Sequence, residues 1–98
     1  MPPKSFTTIA DPEIMAALGA RLRALRGGVT QAEAAARAGL TRQTVSRAEA
    51  GDNPTLLTII RLLRAYGRLD ALAGFIPAPE VSPMALLREH RGGWSLHA

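Results

Sequence analysis

Four polar side chains within six residues have the types and spacing needed to hydrogen-bond to base pairs: Arg42, Gln43, Ser46 and Arg47. Arg can donate two hydrogen bonds to guanine O6 and N7, Gln can pair with adenine N6 and N7, and Ser suits several base edges. In a helix these positions share one face, since residues three and four apart are neighbours, and Val45 falls on the opposite face. The pattern predicts a helix whose outer face reads the major groove of DNA.

Two short helices joined by a tight turn are predicted around this face. Thr30 and Glu33 have the spacing of a capping box, in which the two side chains satisfy two free backbone amides at the start of a helix. Gly39 suits the left-handed residue that ends this helix. Thr41 can cap the next helix, which we expect over about residues 42–50.

Further residues are predicted to contact the DNA backbone or to support the reading helix. The N-terminus of a helix carries partial positive charge, so Thr30 and Gln31 are expected near a phosphate. A methyl group such as that of Thr44 can also touch thymine. The full set is Arg23, Arg26, Thr30, Gln31, Thr41, Thr44 and Asn53.

Glu49 is an acid in a helix that otherwise carries Arg. We expect Arg26, at the end of the preceding long helix, to pair with it and to tie the two helices together. The alternative is an ordinary surface ion pair, worth less than about 1 kcal/mol.

The flanking segments predict further helices. Residues 1–10 carry two prolines without helical periodicity and are interpreted as a flexible arm. Asp11 can cap the first helix, with Pro12 in its first turn. One apolar stripe follows at helical spacing, formed by Ile14, Leu18, Leu22 and Leu25.

The helix after Thr55 carries more apolar surface than a small core requires. One stripe contains Leu56, Ile59, Ile60 and Leu63, and a second begins with Leu62, Tyr66 and Leu69. Either a fifth helix at about residues 70–76 covers the second stripe, or that stripe is a dimer contact. Residues 11–76 thus form the predicted DNA-binding domain, and residues 77–98 a C-terminal extension.

Composition narrows the class of protein. The chain has 98 residues, a formal net charge of +4 and eleven Arg among twelve cations, a balance that suits nucleic acid. With 47% apolar but only 4% aromatic residues, the core must use small and aliphatic side chains. On the inner side of the first short helix we expect Ala32, Ala35 and Ala36.

Other functions find little support in the sequence. There is no cysteine, no apolar run of membrane-spanning length and no signal-peptide pattern, so a cytoplasmic protein without membrane contact is expected. His90 and His97 have no companion acids at ligand spacing, and no nucleophile–base arrangement occurs. We therefore expect no enzyme, no metal and no cofactor.

Three segments together resemble the Cro/C1-type (XRE) helix-turn-helix family: L-G-A-R-L-R-A-L-R, T-Q-A-E-A-A-A-R-A-G-L-T-R-Q-T-V-S-R-A-E-A-G and N-P-T-L-L-T-I-I-R-L-L-R-A-Y-G. The resemblance covers about residues 14–76. It implies an all-α, five-helix, lambda-repressor-like domain that binds a palindromic operator in double-stranded DNA as a homodimer, usually as a repressor. The family's base-reading positions fall on Arg42, Gln43, Ser46 and Arg47.

Residues 50–67, A-G-D-N-P-T-L-L-T-I-I-R-L-L-R-A-Y-G, followed by a short extension, also resemble the HipB-type antitoxins, which are DNA-binding partners of a HipA-type kinase toxin. That resemblance implies a partner-binding apolar residue near the C-terminus, with Trp94 or Leu96 as candidates. The alternative is a flexible tail in which the Trp has no binding role. A different function also stays open, namely a protein-interaction module that acts mainly by binding a partner protein.

Overall fold

The computed structural model describes residues 5–79, and every regular element in that range is helical. The four α-helices are α1 (Asp11–Arg26), α2 (Gln31–Ala38), α3 (Arg42–Glu49) and α4 (Leu56–Ala65), and they are flanked by two 3-10 helices, Phe6–Thr8 and Leu69–Ala73. None of the helices in this range has the length and apolar character needed to span a membrane. The predictions for residues 80–98, including Trp94 and Leu96, lie outside the described residues.

Threonine side chains start three of the four α-helices. Each threonine hydroxyl accepts a hydrogen bond from the backbone amide three residues later, which satisfies one of the free donors of the first turn and contributes about 1 kcal/mol. The pairs are Thr30 with Glu33, Thr41 with Thr44 and Thr55 with Thr58, each at 3.1 Å.

The start of α1 differs from the prediction by one residue. Ala10 is the N-cap and makes no side-chain hydrogen bond, whereas Asp11 is already helical and Pro12 lies in the first turn. Asp11 and Glu13 still place acidic side chains at the positive end of the helix. Phe6, within the predicted arm, lies in a 3-10 helix, and the Arg21 guanidinium sits 4.9 Å from its ring centroid.

Glycines in the left-handed conformation end α2 and α3. Gly39 has φ 70°, and the next amide, that of Leu40, donates to the Ala35 carbonyl at 2.9 Å. Gly51 has φ 73°. Since these φ values strain residues with a Cβ, the two glycines fix where the reading helix begins and ends.

Small side chains let α2 pack closely on α3 and α4. Ala34, Ala35 and Ala38 are its buried residues, so the expected inner positions Ala32 and Ala36 are wrong. Because five of the eight residues of α2 are alanine, the sequence does not distinguish the alanines that face the core from those that face solvent. The core that results is formed by Leu22, Ala35, Ala38, Val45, Ala48, Leu62 and Leu63.

The backbones of α1 and α3 meet at two glycines. A Cβ added to Gly19 would collide with the Glu49 carbonyl oxygen, and one added to Gly51 would lie 2.7 Å from the Met15 carbonyl oxygen. Neither position has room for a larger residue. This contact sets how deeply α3 is seated against α1.

The segment after α4 does not form the predicted fifth α-helix. Residues Leu69–Ala73 form a 3-10 helix instead, and Leu72 packs on the core. Gly67 and Gly74 bracket this segment and leave too few residues for an α-helix of useful length. Leu62, assigned to the second apolar stripe, is fully buried in the monomer and is therefore not available as a dimer contact.

Candidate nucleic-acid interface

The outer face of α3 presents the predicted base-reading side chains to solvent. Arg42, Gln43 and Arg47 are exposed and Ser46 is half-buried, whereas Val45 on the opposite face is fully buried. Arg42 and Gln43 form no side-chain hydrogen bond with any residue in the described range. Their donors are therefore available to a ligand that approaches this face.

A polar cleft lies on one side of α3, where α1 ends and α2 begins. It brings together residues that are far apart in sequence, and its lining is Arg23, Arg26, Gln31, Ser46, Glu49 and Ala50. Four of the predicted DNA-contacting or supporting residues thus border the same surface as the reading helix. Arg23 is exposed there.

Arg26 and Glu49 form a two-point ion pair at the base of this cleft. The Arg26 Nε donates to Glu49 Oε2 at 2.7 Å, and Nη2 donates to Oε1 at 3.0 Å. The remaining Nη1 donates to the Val29 carbonyl at 2.7 Å. The side chains are only 14% and 5% exposed, so this is a buried bridge between α1 and α3 and not a surface pair.

Burial alone would raise the pKa of Glu49, but its neighbours outweigh that effect. Hydrogen bonds from Arg26 and Gln31, with the positive charges of Arg26 and Arg23, hold the Glu49 pKa below its ordinary value. The same contact raises the pKa of Arg26. The acid therefore stays ionised, and its charge is neutralised inside the protein where it does not repel a phosphate backbone.

Several residues predicted to support DNA contact already bind other protein groups. The Gln31 side-chain amide donates to Glu49 Oε1 at 3.0 Å, and the Thr41 and Thr44 hydroxyls lie 2.8 Å apart. The capping box is also altered, since the Thr30 hydroxyl donates to the Glu33 carboxylate at 3.2 Å. These side chains hold the helix ends in place, whether or not they also touch DNA.

A second polar cleft lies on the opposite side of α3, toward α4. Its lining includes Thr44, Arg47 and Asn53, and Asn53 adopts a positive φ of 44°. Here the Arg47 Nε donates to Asp52 Oδ2 at 3.1 Å. This contact was not predicted from the sequence.

The position of Asp52 beside Arg47 could have been inferred from the glycine that precedes Asp52. When a left-handed Gly ends a helix, the next amide returns to a carbonyl of the last turn. The Asp52 amide indeed donates to the Arg47 carbonyl at 2.9 Å, and that of Gly51 to the Ala48 carbonyl at 3.1 Å. The motif brings residue 52 back beside residue 47.

The arrangement described above is a short helix with exposed donors, set across a second short helix by a glycine turn. The family model described as Helix-turn-helix (HTH_3) matches residues 20–72, more than half of the chain. No curated protein and no solved structure gives a significant match. The chain therefore belongs to the Cro/C1-type (XRE) helix-turn-helix family of DNA-binding regulators.

Proposed function

We propose that this protein is a sequence-specific transcriptional regulator in which α3 enters the major groove of double-stranded DNA. The observation that carries the proposal is the division of α3 into two faces. Within the described residues, Arg42 and Gln43 point outward with free donors, Arg47 points outward with its two terminal amino groups free, and Glu49 is buried in a neutralising pair. A helix with such a face can present its side chains to base edges, because the one acid within the helix is paired inside the protein.

Residues beside α3 supply the contacts that position it. Arg23 borders the cleft next to Ser46 and is exposed, which suits a contact with phosphate. The amino end of α2, begun by Thr30, carries the partial positive charge of a helix terminus. Phosphate contacts of this kind fix orientation without reading sequence.

A gel shift at increasing salt tests whether the protein binds DNA through these groups. Because neutralised phosphates release counterions, the logarithm of the binding constant should fall linearly with the logarithm of salt, at a slope of about −0.9 per contact. A protein with several Arg–phosphate contacts then loses affinity steeply. Binding that is absent at low salt, or that is indifferent to salt, contradicts the proposal.

We infer that the protein acts as a homodimer on a palindromic operator and represses transcription. Exposed apolar side chains on the described surface support a self-association face, and they include Leu25, Leu56, Phe75 and Ile76. A dimer predicts two half-sites about 10 base pairs apart in the preferred sequence. Sedimentation as a monomer, with binding to one isolated half-site at full affinity, contradicts this part of the proposal.

We further propose that the protein is the antitoxin of a HipA-type kinase, acting in the cytoplasm and without catalytic activity of its own. The resemblance of residues 50–67 and the extension that follows to HipB-type antitoxins supports this partnership, with Trp94 or Leu96 as the inserted residue. Co-purification with the product of a neighbouring kinase-like gene, lost on deletion of residues 92–98, is the expected result. Co-purification that survives the deletion assigns the contact elsewhere and contradicts the role of these two residues.

A protein-interaction module is the second candidate, and one surface favours it. An apolar cavity of about 220 Å³ opens between α1, α4 and the 3-10 helix Leu69–Ala73, with Leu18, Leu25 and Phe75 in its wall. Such a cavity suits an apolar partner side chain. The gel shift separates the two functions, since only a DNA-binding protein shows the steep salt dependence.

A further inference from the structure

Asp52 places an acidic side chain at the edge of the surface proposed to bind DNA. There it contacts Arg47, one of the proposed base-reading residues. We propose that Asp52 is a positioning residue that orients Arg47 for reading one base pair, so that it is a determinant of DNA specificity. The inference rests on the proposed function, because it takes α3 as the reading helix.

The geometry of the pair leaves the useful part of Arg47 free. Asp52 Oδ2 accepts from Nε, the nitrogen nearest the side-chain stem, at 3.1 Å. No residue of the described range accepts a hydrogen bond from the two terminal amino groups of Arg47. Those two groups form the fork that fits guanine O6 and N7, and a carboxylate on Nε fixes the plane in which the fork lies.

The backbone, and not the ion pair, holds Asp52 in place. Its amide donates to the Arg47 carbonyl at 2.9 Å through the turn at Gly51. That turn lies close against the backbone of α1, because a Cβ on Gly51 would lie 2.7 Å from the Met15 carbonyl oxygen. The carboxylate is thus presented beside the Arg47 side chain before any ligand arrives.

The pair itself adds little to folding. The two side chains are 64% and 59% exposed, and exposed ion pairs have small effects on stability. Loss of the Asp52 carboxylate should therefore leave the fold intact. It should also remove a negative charge that repels nearby phosphates.

These two effects have opposite signs on DNA binding, which makes the inference testable. Without Asp52, Arg47 samples more orientations and loses discrimination between bases. Removal of the negative charge raises affinity for every duplex alike. If Asp52 acts only through its charge, its loss should raise the affinity for all sequences and leave the base preference unchanged. If Asp52 only supports the fold, its loss should lower both the affinity and the base preference.

The experiment compares Asp52→Ala, which removes both the charge and the hydrogen-bond acceptor, with Asp70→Ala as a matched control. Asp70 lies in the 3-10 helix after α4 and pairs with Arg68 at 3.4 Å, so its substitution changes the charge equally at a different site. The full chain is incubated with a pool of random-sequence duplex DNA, and the enriched duplex is then varied one base pair at a time. Circular dichroism melting verifies that both variants fold.

We expect Asp52→Ala to lower discrimination at one base pair by about fivefold, with unchanged or stronger binding to random duplex. Asp70→Ala should keep the wild-type preference. In an Arg47→Ala background, Asp52→Ala should cause no further loss at that base pair, because Asp52 acts through Arg47.

Two results overturn the inference while the proposed function stands. One is an unchanged base preference in Asp52→Ala, and the other is a loss of preference that persists in full when Arg47 is absent. If the wild-type chain enriches no sequence from the pool, the proposed function fails and the inference fails with it. The failures are distinguishable, because only the last one is visible in the wild-type protein.

Discussion

Glu49 places a carboxylate within an interface proposed for a polyanion, and its contacts explain how the chain accommodates it. Arg26 covers both carboxylate oxygens and Gln31 adds a third hydrogen bond, so the charge is matched within the protein. The same three side chains join the ends of α1, α2 and α3. One acid therefore serves to set the relative positions of the helices that flank the reading face.

The depressed pKa of Glu49 makes the stability of the fold depend on pH in acid. The unfolded chain takes up this proton near the ordinary value of 4.5, but the folded protein does so only at lower pH. The contribution of Glu49 to stability is therefore present above about pH 4.5 and is lost as the pH falls through the folded pKa. Urea unfolding between about pH 3 and pH 7 should show this loss.

The Glu49→Gln variant provides the comparison for that pH dependence. It removes the titrating group, so its free energy of unfolding should be lower at neutral pH and should change less in acid. Glu33→Gln, on the exposed side of α2, retains the Glu49 pair and serves as the control. Equal acid sensitivity in Glu49→Gln and the wild type would show that the pair is not its source.

Tyr66 carries a buried hydroxyl with no hydrogen-bond partner in the described part of the chain. Burial raises the pKa of this tyrosine, and the nearby charge of Glu49 acts in the same direction. An unsatisfied buried hydroxyl costs about 1–3 kcal/mol, so Tyr66→Phe should leave thermal stability unchanged or raise it. A loss above about 1 kcal/mol would reveal a hydrogen bond to this hydroxyl.

At the scale of elements, the contact between α1 and α3 depends on the absence of a side chain at Gly19. In the middle of a helix, Gly→Ala normally stabilises by about 0.5–1 kcal/mol. Here the new Cβ would collide with the Glu49 carbonyl oxygen, so we expect Gly19→Ala to destabilise by about 1–3 kcal/mol and to displace α3.

Gly28→Ala is the matched control for that substitution. Gly28 lies in the turn after α1, where an added Cβ meets no atom within 4 Å. Chemical denaturation should show little change for this variant. If Gly19→Ala were equally neutral, the close approach of α1 and α3 would be refuted.

Features determined by a few neighbouring residues were predictable from sequence. The threonine caps and the glycine ends of the two short helices follow from local hydrogen bonding and from φ alone, and they are found at Thr30, Thr41, Gly39 and Gly51. The placement of Val45 and Ala48 in the core follows from helical periodicity. These local features are enough to predict which face of α3 is exposed, without knowledge of how the helices pack.

Features that depend on how the helices cross were not predictable. The need for glycine at position 19 arises from a backbone approach distant in sequence. Leu62 was assigned to the second apolar stripe, yet it is fully buried. The prediction failed because the side chains that cover Leu62 come from other helices. The Asp52–Arg47 contact depends both on a local backbone turn and on a contact between two side chains, and it was not predicted from the sequence.

At the scale of the molecule, the described surface divides into two working regions. Polar clefts flank α3 on both sides, toward α1 and α2 with Arg23, and toward α4 with Arg47. Apolar side chains gather where α1 and α4 meet the segment after Gly67, around Phe75 and Ile76. The polar region around α3 and the apolar region are therefore separate parts of the described surface.

The central claim is that α3 reads the DNA sequence while residues beside it, such as Arg23, bind the phosphate backbone. The most direct test is the ratio of affinities for an enriched duplex and a random duplex, measured by fluorescence anisotropy for Arg42→Ala and Arg23→Ala. We expect Arg42→Ala to lower the ratio by about tenfold, whereas Arg23→Ala should weaken both duplexes alike and reduce the salt slope by about one contact. A ratio left unchanged by Arg42→Ala, or lowered equally by both variants, would contradict the account.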